Sequence, residues 1–76
     1  MKVMDVEKRI GHVKEFLKDK GIKVKRIAVS DLGSEGTLVR VFTTLKSPRK
    51  ARELELELLK QGIETEEFTV IINTQV

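Results

Sequence analysis

The stretch from Thr37 to Gly62 constrains this chain more than any other. Thr-Leu-Val-Arg-Val-Phe-Thr-Thr-Leu, residues 37 to 45, reads as a strand, and Lys46 leads straight into a helix that starts at Ser47-Pro48 and stops at Gly62. The Ser47 hydroxyl can accept a hydrogen bond from a free amide of the first turn, and Pro48 fits the first helical position, where no backbone donor is needed. The remaining elements must pack on this strand-helix unit. Within it, Glu53-Leu-Glu-Leu-Glu-Leu58 alternates with the period of a strand. Pro48, Gly62 and the Ala, Leu, Glu, Lys and Arg between them favour helix instead. On that helix Ala51, Leu54 and Leu58 form the core face. Leu56 points almost opposite Leu54, near Leu59 and Arg52, and is exposed unless something covers it.

Upstream, Val6, Ile10, Val13 and Leu17 recur at spacings of four, three and four, with Phe16 beside them, which predicts an amphipathic helix from Asp5 to Lys20. Asp5 suits the N-cap, and Lys18, Lys20 and Gly21 suit the C-terminal end. Gly11 costs that helix on the order of 1 kcal/mol relative to alanine and reads as a tolerated surface residue. In Ile22 to Ser30 the apolar phase switches between Ile22/Val24 and Ile27/Val29, so a bulge or late strand start is expected near Lys25-Arg26. Asp31 to Gly36 reads as a hairpin turn. The second strand carries Val39, Val41 and Leu45 on one face and Leu38 and Phe42 on the other, the signature of a central strand. The last strand, Glu67 to Thr74, alternates Phe68, Val70 and Ile72 against Ile71.

The order is α-β-β-α-β. A right-handed crossover places the third strand parallel to the second. The expected fold is α+β: a two-layer sandwich whose three-stranded sheet has both helices on one face. A short leading strand at Lys2-Val3-Met4 would make it ferredoxin-like.

With 76 residues there is room for one domain, residues 1 to 76, and one modest core. The absence of cysteine excludes disulfides, thiol nucleophiles and Cys-based metal sites, and suggests a cytoplasmic compartment. The first residues lack an apolar signal region, and no run approaches the roughly 18 residues of a membrane span, so the chain reads as soluble and unprocessed. Charged residues make up 36%, mostly Lys and Glu with few amides, a bias seen in hyperthermophile proteins. The net charge of +3 hides a polarity: residues 1 to 52 carry 14 basic and 6 acidic groups, residues 53 to 76 only 1 basic and 6 acidic.

Catalytic chemistry has little support. His12 is the only histidine and reads as a helix-surface residue, and Ser30, Ser34 and Ser47 suit a strand end, a turn and a helix cap. Gly33-Ser-Glu-Gly36 offers glycines for a phosphate cradle or a nucleic-acid clamp, but both need a following helix where a strand stands here. Glu64, Glu66 and Glu67 would bind a cation only if they converged, and alternation separates Glu66 from Glu67. No cofactor, metal or small-molecule substrate is implied.

Two features bear on function. The first is basic: Lys8, Arg9, Lys25, Arg26, Arg49 and Lys50, with Lys14, Lys18, Lys23 and Arg52 nearby in sequence, could contact nucleic-acid phosphates if they gather. Phe16, Phe42 and Phe68 are the only aromatic residues, a poor base-stacking set. The second is apolar: Leu56 and Leu59 on the helix, and Leu38, Phe42 and Ile71 on the sheet face away from both helices, exceed what one chain can cover unless Arg and Lys stems fold over them. Self-association, with a dimer as first guess, would bury them.

The spacing of Val39, Val41 and Leu45 leading to Ser47, then Ala51, then Gly62-Ile63 before a final strand, is similar to that of BON-type modules, which share the α-β-β-α-β order. Thr43 stands where that family commonly has glycine. The resemblance implies a non-catalytic binding or assembly role. The reading is thus a self-associating interaction module, with a small nucleic-acid-binding protein as the alternative.

Overall fold

A computed structural model describes the backbone of residues 2–75 and the side chains of residues 6–75. Helix α1 (Lys2–Asp19) is followed by strand β1 (Val24–Asp31), a 3₁₀ turn (Gly33–Glu35), strand β2 (Thr37–Thr43), helix α2 (Pro48–Lys60) and strand β3 (Phe68–Asn73). The α2 start follows the sequence closely. The Ser47 hydroxyl accepts from the Lys50 amide at 3.2 Å, Pro48 opens the helix, and Gly62 takes the positive φ of 78° that ends it.

The sheet order is β1-β2-β3, so β2 is the central strand that its two apolar faces predict. It pairs antiparallel with β1 and parallel with β3, with Val29 opposite Val39 and Val39 opposite Val70. The register passes from Val24–Thr43 to Arg26–Phe42, which leaves Lys25 as an extra residue on β1. This is the bulge implied by the switch of apolar phase.

Val39, Val41, Phe68, Val70 and Ile72 alternate onto one sheet face and join Val13, Phe16, Leu17, Ala51, Leu54 and Leu58 in a single core. Both helices therefore lie on that face. Thr43 is the buried polar member, its hydroxyl donating to the Asn73 carbonyl at 3.0 Å and accepting from the Leu45 amide at 3.1 Å.

The main differences from the sequence reading are at three boundaries. Helix α1 begins at Lys2, so Asp5 lies within it and is not its N-cap, and Lys2-Val3-Met4 is its first turn and not a fourth, ferredoxin-like strand. Val6 and Ile10, further along the helix, pack against the core. Strand β1 starts at Val24 and not at Ile22, because the Ile22 amide donates to the Leu17 carbonyl and closes α1. Strand β2 ends at Thr43, where the hydroxyl captures the Leu45 amide and draws the chain out of the ladder.

Candidate functional site

The sheet has one covered face and one open face. Side chains that alternate away from the helices include Leu38, Arg40 and Phe42 on β2 and Thr69, Ile71 and Asn73 on β3, and none of them is fully buried. No element of the described residues packs over them as a second layer. The Arg26 guanidinium lies 4.3 Å from the centre of the Phe42 ring, so one cationic stem shields part of this face. Beside Phe42, Nδ2 of Asn73 is enclosed and lacks a hydrogen-bond partner among the described residues.

Of the five apolar residues singled out in the sequence, the fold gathers three. Leu38, Phe42 and Ile71 share the open face, half-buried by their neighbours. Leu56 and Leu59 lie in the other layer, on the outward side of α2, and are 57% and 52% exposed. Sequence reasoning missed Val29 and Leu32, which are also well exposed. Val29 sits on the helix side of the sheet opposite Val39, but on an edge strand that the helices do not fully reach, and no local pattern marks that.

The two sheet edges differ. Along the outer edge of β3, the Ile72 amide donates to Oε2 of Glu55 at 2.8 Å, the Phe68 amide donates to the Thr65 carbonyl at 3.2 Å, and the Val70 N–H stabilises the Glu64 carboxylate. Two outward amides of β3, those of Phe68 and Ile72, are thus occupied by groups of the same chain. Partial burial pushes the Glu64 carboxyl above its ordinary value, the Val70 amide draws it back down, and the Glu55 charge adds to the rise. Nothing in the sequence pattern foretold this arrangement, because it depends on where α2 settles across the sheet. The outer edge of β1, by contrast, has no partner strand among the described residues.

Next to that open edge, a groove of about 620 Å³ runs between α1 and β1. Lys14 and Lys18 of α1 form one side, and Lys23, Lys25 and Arg26 the other, above Ile22, Val24 and Ile27. Among the described residues no acidic side chain lines it. The bulge at Lys25 contributes, since it adds a basic residue to the stretch that meets the helix.

The six basic residues considered for phosphate contacts fall into separate groups. Lys25 and Arg26 join the groove, at the end of the sheet where β1 starts and β2 stops, and Arg49 and Lys50 are exposed in the first turn of α2 at that same end. Arg9 lies at the opposite end, donating to the Gly62 and Ile63 carbonyls at 2.9 Å, with Lys8 beside it in α1. Asp31, Glu35, Glu64, Glu66 and Glu67 also cluster toward the latter end, where β1 stops and β2 and β3 start. The charge polarity of the sequence thus becomes a polarity along the strands.

The remaining candidates take structural places. Gly33 to Glu35 form the turn between β1 and β2, with Oδ1 of Asp31 accepting from the Gly33 amide at 2.9 Å. His12 is exposed on α1. Among the described residues no three of His, Asp and Glu come together to hold a metal ion, and no helix is long and apolar enough to cross a membrane.

No protein-family model, curated protein or solved structure matches the chain. The likeness to BON-type modules therefore rests on element order and hydrophobic spacing. At the position where that family commonly has glycine, Thr43 makes two partly buried hydrogen bonds.

Proposed function

We propose that this protein is a non-enzymatic interaction module that self-associates by stacking the open sheet faces of two copies. The observation that carries the reading is the placement of Leu38, Phe42 and Ile71 on a face with no covering layer. Apolar area of this kind is stabilised by removal from water at roughly 25 cal/mol per Å². The charge polarity supports one arrangement. Copies stacked with their strands antiparallel set the basic end of each over the acidic end of the other, whereas parallel stacking opposes like charges.

Three strands about 4.8 Å apart and roughly 20 Å long make a small contact, at the low end of specific interfaces, so the dimer is weak and concentration-dependent. Light scattering on a size-exclusion column tests this. The expected result is a rise toward twice the 8.7 kDa chain mass with increasing concentration, abolished by Phe42→Ser with the circular dichroism spectrum retained. A strictly monomeric protein at millimolar concentration overturns the proposal. The spread of Arg9 and Lys8 away from the other basic residues favours this reading over a single phosphate-binding surface.

A further inference from the structure

We infer that the basic groove between α1 and β1 is a docking site for an extended acidic peptide, which adds as a strand to the open edge of β1. Three observations converge on this site. The edge of β1 has no partner strand among the described residues, so its outward amides and carbonyls are available for main-chain pairing. Ile22, Val24 and Ile27 offer an apolar floor for alternate side chains of an added strand. Five cations and no anion line the groove, so Glu or Asp at the intervening positions is matched by charge.

Lysines and a bulge on an edge strand also guard against unwanted pairing. That guard is selective. Two β1 edges brought together would oppose cation to cation, which disfavours a second copy as occupant, and the β3 edge of another copy is already occupied by Glu55, Glu64 and Thr65. An acidic strand meets no such barrier. Nucleic acid would satisfy the charges, but no aromatic side chain lines the groove to stack a base, and its backbone cannot pair with β1. The groove borders the open sheet face through Arg26, whose guanidinium lies over Phe42.

Fluorescence anisotropy with a labelled decapeptide of alternating Glu and Val tests the inference in the full chain. Saturable binding is expected, weakening with salt, with slowed hydrogen exchange at β1 amides and about tenfold loss in the Lys14→Glu, Lys25→Glu double variant. The same peptide with proline at alternate positions, which cannot pair as a strand, is expected not to bind. Equal binding of the proline peptide, tighter binding of a 20-nucleotide oligothymidylate or a 20-base-pair duplex, or no saturable binding overturns it.

Discussion

Thr43 shows how one buried hydroxyl can set the end of a strand. It is 2% exposed, and its oxygen serves both the Asn73 carbonyl and the Leu45 amide. Thr43→Val keeps the shape but strands both groups, so a loss of about 1–3 kcal/mol is expected in urea denaturation. Glu64 makes the opposite prediction. Its folded pKa is raised above the ordinary 4.5, so its contribution to stability is full below that value and is lost as pH rises through the folded value. Glu64→Gln keeps an oxygen for the Val70 amide and removes the partly buried charge beside Glu55. It is expected to stabilise the protein at pH 7 by about a few tenths of a kcal/mol for a group this exposed, read as a higher melting temperature, and to have no effect below about pH 4. A larger gain at low pH than at pH 7 would contradict this assignment. Gly36 is fixed by contact, since a Cβ there would run into the Glu67 carbonyl at a φ of 102°.

At the scale of elements, the best-predicted boundary is the one with its own local chemistry. Ser47, Pro48 and Gly62 delimit α2 in sequence and in structure, because capping is decided within a few residues. The phase switch at Lys25-Arg26 was legible for a similar reason, since a bulge changes which face each side chain meets. The start of α1 was not legible. Asp5 looks like a cap, yet the helix continues back to Lys2. The open face was readable from Leu38, Phe42 and Ile71, but the basic groove was not, because Lys14 and Lys18 meet Lys23 and Lys25 only once α1 lies beside β1. Gly11 tests the surface of α1 directly. A Cβ at that position meets nothing within 4 Å, so Gly11→Ala is expected to stabilise the protein by about 0.5–1 kcal/mol in thermal denaturation.

The whole molecule is asymmetric in two directions. Across its thickness, one sheet face is packed and the other is open; along the strands, one end is basic and the other acidic. If two copies stack as proposed, the melting temperature rises with protein concentration in the wild type and becomes independent of it in Phe42→Ser. A third asymmetry lies across the width of the sheet, where the β3 margin is sealed by its own glutamates and the β1 margin is not. A ribbon whose one free margin repels its own kind cannot be extended edge to edge by copies of itself. Crowding or heating in the native state should therefore yield small, finite clusters and not fibrils.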